Sequence, residues 1–197
     1  MTDLSALIVA GSGEADAFER DRFDPKIRAS IRYADQAAWI TATAVIRALA
    51  APGDGRSELR HQTGMIVLGD QGPGATMAGM QAEGAKGFSS PLHYAASGPW
   101  TLVGVSCIAF GFRGPTLSLI MDPQDGLSTA LTLCQAWLAS KAAQLMVVAA
   151  CRTSPSDATL ARALLLAPPG ALPNEKPLTA SELAWLTAEA STSGAGA

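Results

Sequence analysis

The residue types that most often carry chemistry are few in this chain and widely spaced. Its three cysteines, Cys107, Cys134 and Cys151, form no Cys-x-x-Cys pair, and its two histidines, His61 and His93, stand at no metal-ligand spacing. Neither a metal site nor a disulfide framework is expected from them. The Gly-x-Gly of Gly11 and Gly13 follows an apolar run, but Asp16 sits where a dinucleotide fingerprint needs its third glycine. A second glycine-rich loop, Gly69 to Gly74, is not followed by the Gly-Lys-Ser/Thr of a P-loop. No cofactor is therefore expected. One candidate remains, "GPTLSLIMDPQDGLSTALTLCQAW", Gly114 to Trp137. An apolar run, Leu117 to Met121, enters a tight polar turn, after which Leu127, Ala130, Leu131, Cys134 and Leu138 recur at helical spacing. Strand, sharp turn and helix start form the geometry by which many enzymes present a nucleophile. Yet the turn, "DPQDG", holds neither serine nor cysteine.

The residues of that turn read as structure. Asp122 is a good helix N-cap, Pro123 suits the first helical position, and Asp125 falls in the first turn. A cap of this kind contributes about 1 kcal/mol. Two carboxylates at a helix start also disfavour ionisation of any thiol or enolate beside them. Acyl-transfer chemistry is not expected here.

The elements that position the turn follow from the pattern of apolar residues. Short buried strands are expected at Ser5–Gly13, Met65–Leu68, Leu117–Met121, Leu145–Ala150 and Ala163–Ala167. One long helix is expected between Phe23 and Pro52-Gly53, with Ile31, Ala34, Ala38, Ile40, Val45 and Leu49 on one face. Further helices are expected at Thr101–Phe110, closed by Gly111, and at Gly126–Lys141. Buried strands alternating with helices argue an α/β layered fold. At 197 residues the chain has room for one sizeable core. Composition shifts after Pro168, which divides residues 1–168 from a Pro/Ala-rich tail, 169–197. Thr179 to Glu182 forms a capping box there, before a short helix whose Trp185 either packs loosely or docks on a partner. With 48% hydrophobic and only 16% charged residues, the chain either buries a large interface or owes its high apolar count to its many small residues, alanine above all. A net charge of -3 without a basic run argues against nucleic acid or an anionic membrane as partner. The first apolar run is too short for a signal peptide and no run spans a bilayer, so a cytoplasmic location is expected.

Gly64 to Ser154 resembles the amino-terminal half of a β-ketoacyl synthase, a thiolase-fold enzyme. "GMIVLGDQGPG" is similar to that family's strand and glycine loop, and "GFSSPLHYAASGPWTLVGVSCIAFGFRGPT" to its Ser-Pro segment, following helix and Gly-Pro turn. "GLSTALTLCQAWLASKAAQLMVVAAC" resembles the helix behind the nucleophile and the next strand, and Phe23–Leu49 more weakly an early Arg-containing helix. The resemblance implies a layered thiolase-like half-fold, a mixed sheet flanked by helices. Counting the family's spacing from Pro115 to its active cysteine lands on Pro123, with Gln124 next. The family's catalytic histidines belong to a carboxy-terminal half that has no counterpart here. A cysteine-free ketosynthase resembles the chain-length factors, in many of which glutamine takes the cysteine site, and the chain also resembles ketosynthase-like proteins of aryl-polyene and other fatty-acid-like pathways.

That resemblance implies a non-catalytic subunit pairing with an active ketosynthase in a heterodimer, or forming a homodimer, and meeting an acyl carrier protein. The strand Leu117, Ser118, Leu119, Ile120 and Met121 would pair antiparallel across the interface. Phe88, Tyr94, Trp100, Phe110 and Phe112 would lie near the partner's acyl pocket, where bulky side chains gate chain length. The alternatives are a malonyl-carrier-protein decarboxylase using Gln124, an acyltransferase using Cys107 or Cys134, and a standalone half-thiolase binding module.

Overall fold

The five expected apolar runs become the five strands of one mixed sheet in the computed structural model, which describes residues 4–50, 59–87, 90–154, 158–171 and 176–189. They are β1 (Ile8–Ala15), β2 (Thr63–Gly69), β3 (Thr116–Ile120), β4 (Leu145–Thr153) and β5 (Thr159–Ala167), in the spatial order β1-β5-β4-β2-β3. β3, β2 and β4 run parallel, whereas β4, β5 and β1 are antiparallel neighbours. The helices are α1 (Pro25–Ser30), α2 (Gln36–Leu49), α3 (Gly74–Gly84), α4 (Pro91–Ala96), α5 (Trp100–Phe110), α6 (Pro123–Ala139) and α7 (Ala180–Thr187).

Both faces of the sheet are covered, which is why its central strands are apolar without alternation. Along β4, Val147 and Ala149 face a core shared with Ile40 and Val45 of α2 and Leu102 of α5. Met146 and Val148 face the opposite core, with Leu131 and Cys134 of α6 and Leu186 of α7. Every residue of β2 is buried.

The Gly-x-Gly of the first strand has a packing explanation. A Cβ on Gly13 would stand 2.2 Å from the Ala44 carbonyl oxygen and 2.6 Å from the Ala48 nitrogen, so α2 lies against bare β1 backbone. Gly111 closes α5 as expected, at φ 72° in the left-handed region that glycine enters without steric cost.

The long helix expected after Phe23 is two helices. Asp24 caps α1, accepting from the Lys26 N–H, and Asp35 caps α2, accepting from the Ala37 N–H at 2.9 Å. An aspartate side chain that can bond nearby backbone N–H groups competes with helix continuation. Asp35 is buried, and its second oxygen accepts from the Thr76 N–H at 2.9 Å and Thr76 Oγ1 at 2.8 Å. This bond fixes the start of α2 to the start of α3. The expected stop at Pro52-Gly53 lies outside the described residues.

The segment after Pro168 returns to the sheet. Val9 N–H donates to the Lys176 carbonyl at 2.8 Å, and Leu178 N–H donates to the Leu7 carbonyl at 3.0 Å. The capping box forms, with Thr179 and Glu182 each bonded to the other's backbone N–H. Leu178 and Leu186 are buried, and Trp185 packs against the α6-side core of its own chain. Arg162 of β5 lies under the Trp185 ring and donates to the carbonyls of Trp185 at 2.7 Å and Ala188 at 2.9 Å. A guanidinium at a helix C-terminus satisfies carbonyls that the helix leaves open.

Replacing Asp35 with alanine removes a cap and leaves Thr76 Oγ1 without its acceptor. Urea denaturation is expected to show a loss of about 2 kcal/mol.

Candidate functional site at the strand-end turn

The parallel strands β2, β3 and β4 end side by side, with Gly69 opposite Ile120 on one side and Cys151 on the other. The carboxyl ends of parallel strands are where α/β sheets place ligands. Three short segments meet there: Asp70-Gln71 after β2, Met121 to Gln124 after β3, and Arg152-Thr153 closing β4.

The turn after β3 is a finished helix cap. Met121 N–H donates to the Gly69 carbonyl at 2.9 Å, holding the chain to β2 as it leaves the strand. Asp122 then accepts from the Gln124 N–H at 2.8 Å, with Pro123 in the first helical turn, as expected. Arg152 binds both carboxylate oxygens of Asp122, at 2.9 Å each, and its Nε donates to the Thr187 carbonyl at 3.1 Å. These bonds connect the turn, the end of β4 and the end of α7 through one planar guanidinium. The Arg152 bonds, then the Gln124 N–H, hold the Asp122 carboxyl below the usual carboxylate range. Asp70 goes the other way. Burial pushes its carboxyl up, outweighing the Thr153 N–H and the nearby Arg152 charge.

Among the described residues no nucleophile reaches this turn. Pro123 is buried and Gln124 is exposed, its backbone N–H already taken by Asp122. Burial pushes the Cys107 thiol up to about 11 and the Cys134 and Cys151 thiols up to about 12, the reverse of what an attacking thiolate needs. Cys134 faces the sheet from within α6. That arrangement opposes the acyltransferase alternative. The histidines are elsewhere: His61 precedes β2 at the far end of the sheet, and His93 on α4 pairs with Glu83 at 3.1 Å. Among the described residues no group of His, Cys, Asp and Glu is arranged to hold a metal ion, and no helix is long and apolar enough to cross a membrane.

The residues expected at an interface separate by position. β3 is the edge strand, bonded to β2 alone, and Leu117 and Leu119 pack toward the α6-side core. Ser118 is half-buried, while Ile120 and Met121 are exposed. The aromatic residues divide too. Phe110 and Phe112, 8% and 6% exposed, are core residues, their rings 5.6 Å apart and Phe110 6.0 Å from Phe23. Trp100 and Tyr94 are 56% and 66% exposed. Phe88 lies outside the described residues.

Sequence reasoning missed a groove. Between the α1–α2 turn and helices α4 and α5, a cavity of about 290 Å³ is lined by Ile31, Ala34, Leu92, Trp100, Val105 and Ile108, among others. Its signal was present in α5, "WTLVGVSCIAF", which is apolar on all sides and so has more apolar surface than one core can cover.

Lysine at Arg152 keeps the charge but loses the two-pronged bond. Asp122 is nearly half exposed, so the expected loss is at most about 1 kcal/mol near neutral pH. A carboxyl lowered by folding stabilises the fold above the ordinary aspartate range and stops doing so as pH falls through its folded pKa. The stability gap between wild type and Arg152→Lys should therefore close on acidification, as followed by urea melts across that range.

No family model matches the sequence, and no curated protein matches it. Solved structures do. A ketosynthase, ApeO, in complex with its chain length factor, ApeC, from Xenorhabdus doucetiae matches at TM-score 0.60 and 14% identity, over 83% of this chain and 79% of that one. The ishigamide ketosynthase/chain length factor matches at TM-score 0.64 and 12% identity, over 88% of this chain and 64% of that one. A type II polyketide synthase complex, AntDE:AntF, whose acyl-carrier protein is bound to its ketosynthase, matches at TM-score 0.64 and 16% identity, over 84% of this chain and 64% of that one. The chain thus spans less than two thirds of the length of the latter two. At these identities the likeness concerns the fold, and the mixed sheet with helices on both faces is the thiolase-like fold of the ketosynthases.

Proposed function

We propose that this chain is a non-catalytic, chain-length-factor-like subunit that pairs with an active β-ketoacyl synthase in the condensation of carrier-protein-bound acyl chains. The observation that carries this reading is the turn after β3. The fold retains the strand, turn and helix that bring a nucleophile forward, but Asp122, Pro123 and Arg152 turn the site into a capped helix start. The likeness to solved complexes of ketosynthases with chain length factors supports the same reading. A fold kept without its chemistry has a use in association, and β3 supplies an open, apolar edge for it. On this reading Trp100, which lines the groove, and Tyr94, exposed on α4, are the gate residues, and a carrier protein delivers the chain to the partner's active site.

The decarboxylase alternative gains nothing from the geometry. An amide at position 124 would need a proton donor or a second oxyanion contact, and neither histidine lies at the turn.

Co-expression with a ketosynthase encoded nearby, followed by size-exclusion chromatography, tests the reading. A stable complex that elongates acyl chains is expected, and Gln124→Ala should retain most of its activity. Loss of activity with assembly intact would give Gln124 a chemical role. Trp100→Ala should shift the products toward longer chains, read by mass spectrometry, without dissociating the complex.

A further inference from the structure

The groove between the α1–α2 turn and helices α4 and α5 has walls of one kind and a rim of another. Leu92, Trp100 and Ile108 line it, each more than half exposed, and among the described residues no charged side chain does. Trp100 is held in place. Its Nε1 donates to the Ala95 carbonyl at 3.1 Å, and a Cβ on Gly98 would stand 2.1 Å from the indole, which therefore lies against bare backbone. An apolar wall fixed in the open is prepared for a ligand, since it loses little freedom when one binds.

The rim at the α1 end is basic. Arg32 lies over the ring of Tyr33, a groove residue, its guanidinium carbon 4.8 Å from the ring centre, and donates to the Tyr33 hydroxyl at 3.0 Å. Arg28 stands three residues before Ile31, another wall residue, and residues so spaced share a helix face. The Arg28 Nε is buried and has no hydrogen-bond partner among the described residues. Nor, among those residues, does either guanidinium pair with a carboxylate. The acidic groups of these elements are engaged elsewhere. Asp24 caps α1, Asp35 accepts from Ala37 and Thr76, and Glu83 pairs with His93. A buried donor without an acceptor is costly, and an anion at the rim supplies the acceptor.

We propose that the groove is a binding site for a free, single-chain carboxylate of medium length, with its chain against Ile31, Leu92, Trp100 and Ile108 and its carboxylate at Arg28 and Arg32. The planar guanidinium fork matches a carboxylate. The size fits as well. A space of about 290 Å³ holds roughly ten heavy atoms at about 30 Å³ each, the share of one molecule in liquid water. That is the small end of small-molecule sites, and too little for a docked helix about 10 Å across. A carrier-bound acyl thioester is neutral where this ligand is charged and makes no use of two unpaired guanidiniums. The ligand is therefore distinct from a chain under elongation, and the site stands whether or not the protein pairs with a ketosynthase.

Isothermal titration calorimetry tests this, with decanoate below its micelle concentration titrated at neutral pH into the full chain without a ketosynthase. One molecule is expected to bind per chain, with the negative heat-capacity change of apolar burial. Decanol keeps the chain and lacks the charge, and is expected to bind at least about tenfold more weakly. Arg28→Ala with Arg32→Ala is expected to weaken decanoate by a similar factor. Gly104→Leu fills the groove from its α5 wall. A Cβ at Gly104 meets no atom within 4 Å, so this variant is expected to melt no lower than wild type and to lose decanoate. Absence of saturable binding overturns the site, as does binding that Gly104→Leu leaves intact. Decanol bound as tightly as decanoate overturns the anionic head. If an acyl-carrier protein or anionic vesicles bind and Gly104→Leu abolishes it, while decanoate is ignored, the groove is a macromolecular surface and the proposal falls. Each arm uses the chain alone, so failure here leaves the proposed function standing.

Discussion

The structure around the strand-end turn depends on one carboxylate held from two directions. Asp122 accepts a backbone N–H of the helix it caps and both prongs of Arg152. Because Arg152 also donates to the last turn of α7, the start of α6, the end of β4 and the carboxy-terminal helix share one anchor. A nucleophile at the same turn would need free N–H groups and a positive field to stabilise its anion. Here the cap uses the N–H, and the guanidinium is already neutralised. Local stability and acyl chemistry compete for the same few atoms, and this sequence has settled on stability.

The second constraint is the double-sided burial of β2, β4 and β5. It demands helices on both faces, and the chain recruits its carboxy-terminal segment to complete the α6 side. Arg162 and the Leu7–Leu178 bond fix that segment in place. With those surfaces closed, the β3 edge and the groove beside α5 stay open among the described residues. They are the surfaces this fold leaves for contact with another molecule.

Much of this was legible in the sequence because it is local. The strands appear as apolar runs, the Asp122-Pro123 start and the Thr179–Glu182 capping box as short motifs, and the end of α5 as Gly111. What was illegible depends on residues far apart in the chain. Asp35 divides the expected long helix because Thr76, 41 residues on, holds it at the cap. Arg152 reaches Asp122 only because β4 and β3 flank β2. Phe110 and Phe112 looked like Trp100 and Tyr94 in the sequence, since composition does not say which side of α5 faces Phe23. The groove needed both of its walls before it could be seen.

Intact-mass spectrometry tests the central claim that the turn is structural. The full chain is incubated with an acyl-carrier protein, or with an acyl-thioester donor, and its mass is read for a covalent acyl adduct. The 20.2 kDa chain is expected to stay unmodified while an active ketosynthase in the same mixture becomes acylated. Stoichiometric acylation of this chain would contradict it.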